Sequence, residues 1–231
     1  MKVKFLLPIV LSIALPVSIA QAFNVALNKP VIDFSNQYSG LPGYEAGNVT
    51  DGSTSDIQGT NYWVTDNNAG LNAYFTLDLQ GVFSITEIDL RNTHNDSWDD
   101  RGTGAFHILA STAVDSSSQL ISPTTILSGT LSDVSGEDPI AADVFTISNG
   151  LAAGDYRYLK FVVDSLAVYV NAGGAGLNEI EVQADIATNV PESSTNALIF
   201  CGVLIIFLSR SGLAAMLSPV AVRVPFRQIA E

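Results

Sequence analysis

Tyr74-Phe75-Thr76-Leu77-Asp78-Leu79 and Thr86-Glu87-Ile88-Asp89-Leu90-Arg91 alternate apolar and polar side chains with a period of two, and Phe106, Ile108 and Ala110 repeat the pattern downstream. Successive side chains of an extended strand point to opposite faces, so each stretch reads as a strand with one buried face. Ala142 to Ile147, Tyr158 to Val163 and Leu177 to Gln183 are further predicted strands, separated by clusters of Gly, Ser, Asn and Asp. No sustained helical stripe interrupts them. Many short strands joined by turn residues predict an all-β fold, an antiparallel jelly-roll β-sandwich, rather than an α/β architecture. The Ser-, Thr- and Gly-rich segment 111–138 is expected to be an exposed connection with weak edge strands.

The ends of the 231-residue chain have a different character. Residues 1–22 carry Lys2 and Lys4, an apolar run from Phe5 to Ile19 and then Ala20-Gln21-Ala22, the pattern of a secretory signal peptide cleaved before Phe23. An uncleaved membrane helix is the alternative, disfavoured by the short run and by Pro8 and Pro16. One domain is therefore expected over residues 23–186. The sole cysteine, Cys201, lies beyond it, so the domain has no disulfide and no thiolate chemistry. From Phe23 to Val190 the chain holds 5 basic and 21 acidic residues, a net charge of −16. Such a surface repels phosphate backbones and excludes nucleic acid as a partner.

The order of several short motifs resembles the discoidin (coagulation factor 5/8 type C, galactose-binding-like) family. Asn24-Val25-Ala26-Leu27-Asn28-Lys29-Pro30-Val31 is similar to its opening, Asn48-Val49-Thr50-Asp51-Gly52 with Trp63 to its Asp-Gly…Trp segment, and Tyr74 to Leu79 to its Asp-Leu strand. Ile85 to Leu90, Arg101, Phe106 to Ser111, Arg157-Tyr158-Leu159 and Gly176 to Ile180 continue the match to about Ala184. The resemblance implies an eight-stranded sandwich whose loops at one end bind sugars, lipids or proteins. Many animal members tie their termini with a disulfide, which this chain lacks, and that brings it nearer the bacterial carbohydrate-binding members.

Asn48 to Asp56 offers oxygen ligands on a tight loop, as a hard cation such as calcium needs, although Asp51 could equally cap backbone N–H groups in an Asx-turn. The family resemblance implies a calcium set of Asn48, Asp51, Ser53, Asp56 and Glu179. The loop from Asn92 to Arg101 mixes His94, Asn95, Trp98 and Arg101, an aromatic face beside hydrogen-bonding groups, which suits a carbohydrate ring. Tyr62 is expected to join that site, and Tyr44 and Tyr169 lie in other loops that could reach it. Structural roles compete at each position: Trp98 as a core residue, Arg101 as the partner of Asp99 or Asp100. His94 and His107 are the only histidines, and no hydrolase or nucleotide motif is present, so a non-enzymatic role is expected.

Val190-Pro191-Glu192-Ser193, an apolar run from Ala197 to Leu208 and then Arg210 resemble the bacterial PEP-CTERM sorting segment, with Ser193 in place of the second proline. The resemblance implies a membrane helix over part of residues 187–231 and an exosortase-type processing protease as a partner. The expected protein is thus exported and envelope- or matrix-associated, binding carbohydrate or exopolysaccharide and stabilised by calcium. The alternatives are an adhesive matrix component that contacts protein or lipid and, less favoured, a glycosidase using paired carboxylates.

Overall fold

The computed structural model describes residues 23–56, 61–171 and 173–185. The chain divides into two units, residues 1–187 and 188–231, and the second falls entirely outside the described residues. The expected signal peptide and the expected C-terminal membrane segment therefore also lie outside them.

Ten strands run through the described residues: β1 (Phe23–Asn24), β2 (Val31–Phe34), β3 (Trp63–Val64), β4 (Tyr74–Arg91), β5 (Ala105–Ser111), β6 (Thr124–Thr130), β7 (Asp143–Thr146), β8 (Asp155–Val163), β9 (Gly176–Leu177) and β10 (Glu179–Asp185). Every ladder between them is antiparallel, and among the described residues the only helical pieces are three short 3-10 turns. The alternating stretches Tyr74 to Leu79 and Thr86 to Arg91 belong to one long strand. The first half of β4 pairs with β2 and β8, and its second half with β10 and β7 and, at Phe83 and Ser84 alone, still with β8. Between Asp78 and Phe83 the register shifts, with Gln80 in the left-handed region, so β4 bends there and passes from one layer of the sandwich to the other. One layer continues through β8 to β5 and β6, and the other through β10 to β1.

The inward faces follow the period-two pattern. Phe75, Leu77, Ile88 and Leu90 of β4, Phe106 and Ile108 of β5, Phe161 and Val163 of β8 and Ile180 and Val182 of β10 are all buried. Phe75, Phe161 and Phe106 stack in series with centroids 5.3 Å apart. Trp63 meets Phe75 edge-on at one end, and Phe145 of β7 meets Phe106 at the other. Each such aromatic pair adds about 0.5–1.5 kcal/mol beyond its buried area, and Phe145 carries the contact across to the second layer.

The termini are joined without a disulfide. Phe23 and Asn24 pair with Ala184 and Gln183, and Asn24 Oδ1 accepts from the N–H groups of Ala26 (3.0 Å) and Val182 (3.1 Å). Asp78, placed on β4 by the family-like motif, takes a two-point ion pair from Arg157 at 2.8 and 2.9 Å, which holds its carboxyl below the usual range. The Ser-rich segment differs from its expected form in one respect: β6 within it is a full seven-residue edge strand on β5, because Ile126 and Leu127 reach the core.

Candidate functional site

The loop between β4 and β5 is held at both ends by one side chain. Asn92 Oδ1 accepts from the N–H groups of Thr93 (3.0 Å) and Thr103 (2.9 Å), while its Nδ2 donates to the carbonyls of Thr103 (2.8 Å) and Ser132 (3.1 Å). Inside the loop, the buried Asp56 acts as a hub. Its oxygens accept from the Thr93 hydroxyl and from the backbone N–H groups of His94 (3.0 Å) and Asp96 (3.2 Å). From the other side, the Tyr169 hydroxyl donates to the Thr93 carbonyl at 2.7 Å. Asn95, Asp96 and Asp99 all have positive φ, which Asn and Asp tolerate better than other residues with a Cβ. The short turn Asp96–Trp98 that they bracket presents Trp98 outward with 59% of its surface exposed.

Trp98 therefore belongs to the surface and not to the core. It borders a cavity of about 210 Å³ whose walls include Tyr38, Leu41, Tyr44, Asn67, Asn95, Asp100 and Arg101. Arg101 is only 4% exposed. It donates to the carbonyls of Thr65 (3.2 Å) and Asp100 (3.0 Å) and to Asn67 Oδ1, pairs with Asp100 Oδ2 at 2.7 Å, and lies 5.9 Å from the centre of the Tyr38 ring. Of the two acids weighed as its partner, Asp100 is the one it pairs with. A Cβ on Gly174 would come within 2.5 Å of the Arg101 side chain, so the close approach requires glycine there.

Among the expected binding residues, Asn95, Trp98 and Arg101 share this cavity, and Tyr62 and His94 do not line it. Tyr62 is fully buried beneath it and donates its hydroxyl to Asn95 Oδ1 at 3.0 Å, a supporting role. Burial, with Asp56 nearby, holds its phenol well above the ordinary range. Tyr44 packs edge-on between Tyr38 and Tyr62 and forms part of the wall, whereas Tyr169 lies behind the loop. His94 faces a second cavity, on the other side of the same loop. Tyr38 and Asn67 were not singled out from the sequence, because neither sits in a periodic segment and only long-range contacts with Arg101 bring them to the site.

The expected calcium residues separate into two groups. The Asp51-Gly52-Ser53 turn faces Glu179: Gly52, at φ 82, donates its N–H to Glu179 Oε1 at 3.1 Å, and Asp51 Oδ1 accepts from the Ser53 N–H at 2.7 Å. The Asn48 carbonyl accepts from Asp51 N–H at 3.1 Å, which brings it to the same turn. Glu179 is fully buried, its Oε2 has no hydrogen-bond partner, and burial with Asp51 nearby pushes its carboxyl up to about 9. An orphaned buried carboxyl oxygen close to a turn that carries Asp51 is chemically compatible with a hard cation. Asn48, Asp51, Ser53 and Glu179 are consistent with that set. Asp56 is not, because both of its oxygens are committed to the Trp98 loop.

No protein-family model matches the chain, and no curated protein matches it. Solved structures do resemble it. Chitosan-binding module 1 of a chitosanase/glucanase from Paenibacillus sp. IK-5 is 19% identical, with a TM-score of 0.51 over 69% of this chain and 98% of that one. A family 32 module from a family 31 glycoside hydrolase of Clostridium perfringens is 15% identical, with a TM-score of 0.52 over 71% of this chain and 94% of that one. The family 32 module of C. perfringens NanJ, solved with galactose, is 16% identical, with a TM-score of 0.50 over 71% and 99%. The described domain thus shares its antiparallel β-sandwich fold with these modules.

Proposed function

We propose that this chain is an exported, non-catalytic carbohydrate-binding protein that takes a sugar against Trp98 in the cavity bounded by Tyr38, Asn95, Asp100 and Arg101. The observation that carries the reading is an exposed indole on a loop whose backbone is fixed from below. A surface Trp of this kind offers the apolar face of a pyranose ring a flat partner, while Asn67, Asn95 and Asp100 offer polar atoms to its hydroxyls. The loop is anchored by Asn92, Asp56 and Tyr169 before any ligand arrives, so little ordering entropy opposes binding. The likeness in fold to modules described as binding chitosan or galactose supports the same reading.

Calcium belongs to this proposal as a structural ion held by Asn48, Asp51, Ser53 and Glu179, with the unpartnered Glu179 Oε2 as its support. An N-terminal signal peptide and a PEP-CTERM-like segment processed by an exosortase-type protease would place the domain at the envelope, where a host exopolysaccharide is the natural ligand. The test is a glycan panel probed with the purified protein and with Trp98→Ala. Binding to at least one polysaccharide, lost in the variant, is the expected result. No binding to any glycan, the host's own included, rules the reading out.

A further inference from the structure

His94 stands between the Trp98 loop and the segment that follows β6, with acceptors on both sides of its ring. It is 5% exposed, and its Nε2 lies 3.0 Å from the Glu137 carbonyl and 3.2 Å from Asp56 Oδ2. Across the ring, Nδ1 lies 3.0 Å from Asp99 Oδ1, close enough for an ion pair though not aligned as a hydrogen bond. Asp96 and the side chains of Glu137 and Asp138 face the same cavity, and among the described residues no Lys or Arg lines it. Asp56, which the fold takes out of the calcium set, donates its N–H to Asp138 Oδ1 at 3.1 Å.

The two charge states of the ring differ in what they do to Asp99. With both nitrogens protonated, the imidazolium donates from Nε2 to the Glu137 carbonyl and sets a positive charge between Asp56 and Asp99. Loss of one proton leaves the hydrogen on Nε2, where only acceptors stand, and a lone pair on Nδ1 facing a carboxylate oxygen. That contact is then repulsive. Asp99 directly follows Trp98 and is the left-handed residue, at φ 46, that closes the Asp96–Trp98 turn. Its Oδ1 also accepts from Ser135 Oγ at 2.9 Å, so it ties the loop to the segment beyond β6. With its side chain 45% exposed, Asp99 is free to turn into solvent when His94 no longer attracts it, whereas Asp56 is buried and committed to backbone N–H groups. Burial alone would push the imidazole down, but the Glu137 carbonyl, Asp56, Asp96 and Asp99 more than offset it, and the ring keeps its proton above the ordinary histidine range.

Resting on the sugar reading above, we propose that protonated His94 is a latch on the Trp98 platform: in acidic solution it holds Asp99, and with it the indole, in place, and in alkaline solution it lets both go, so that sugar is gripped and released with pH. The latch is complete below the ordinary imidazole range and is lost as pH rises through the raised value. Release gives the loop back the freedom that binding must remove, and that weakens binding.

The test is to measure, by nuclear magnetic resonance, the backbone order parameters of residues 95–100 in the purified protein from about pH 5 to about pH 9. Affinity for the polysaccharide bound most tightly in the glycan panel is measured over the same range. Order should fall from about 0.85 toward about 0.6 and affinity should drop about fivefold, both with the midpoint of the His94 ring signals. His94→Gln should remove the response. Asp99→Asn should keep the loop ordered and the affinity high throughout, because an amide donates to Nδ1 of the neutral ring. His107→Gln, which alters the other histidine, should leave the response as it is in the wild type. A loop equally ordered at both ends of the range, a response that survives in His94→Gln or in Asp99→Asn, or a loosening without change in affinity would each overturn the proposal and leave the sugar reading standing. If no glycan binds, the sugar reading falls, and the order of the loop alone decides the latch.

Discussion

Two loops of this domain bury an ionisable side chain, and they do so in opposite ways. Around Arg101, the guanidinium is matched by Asp100, Asn67 and two carbonyls, with the Tyr38 ring nearby. Around Glu179, one oxygen accepts from Gly52 and the other meets nothing. A buried charge without partners is strongly unfavourable, and one whose partners are all present makes its loop rigid. The difference marks the Arg101 loop as complete in itself, while the Glu179 loop keeps one unpartnered oxygen, the observation on which the proposed calcium rests.

The most severe way to break this comparison is to remove Arg101. Arg101→Met should leave the Thr65 carbonyl and Asn67 Oδ1 without their donor and Asp100 with Asn95 alone, and cost about 3 kcal/mol, in calcium or in chelator alike, when read by chemical denaturation. A loss below about 1 kcal/mol would show that the network adds little. Glu179 should behave in the opposite manner. Calcium at about 100 times its dissociation constant should stabilise the wild type by roughly 2.7 kcal/mol. Glu179→Gln, which keeps an acceptor for Gly52, should abolish that response while melting no lower than wild type in chelator. Equal melting of the wild type with and without calcium would dismiss the ion.

A third acid sharpens the contrast on a smaller scale. Asp89, desolvated on β4 and beside Glu87 and Glu181, is pushed up to about 6. Its carboxyl therefore holds a proton more tightly in the folded state than in the unfolded chain. Stability should rise as pH falls through about 6 and level off near the ordinary Asp value. Melting scans from pH 7.5 to 4.5 should show the wild type gaining a few degrees more than Asp89→Asn, of the size that about 1 kcal/mol produces in a domain of this length. Parallel curves would mean that Asp89 is solvated in both states.

The body of the fold was legible because a buried face imposes a period of two. Phe75, Leu77, Ile88, Leu90, Phe106 and Ile108 all point inward as their alternation predicts. The bend that makes β4 one strand was not legible, since it depends on Gln80 accepting a left-handed conformation. In the site, Asn95, Trp98 and Arg101 could be found from the mixture of residue types in one short loop. Tyr38 and Asn67 could not, because they reach Arg101 across more than thirty positions of chain. Asp56 shows the limit of matching by spacing: a carboxylate in a ligand-like position in the sequence turns toward Thr93 and His94 once the chain folds.

The central claim is that an exposed indole on a preformed loop is a sugar platform and contributes little to the fold. Trp98→Ala tests it directly when melting and glycan affinity are measured on the same preparation. An exposed sugar platform should give a change in stability within about 0.5 kcal/mol together with at least a tenfold loss of affinity, about 1.4 kcal/mol. Unchanged affinity, or a loss of binding that only follows a collapse in stability, would contradict it.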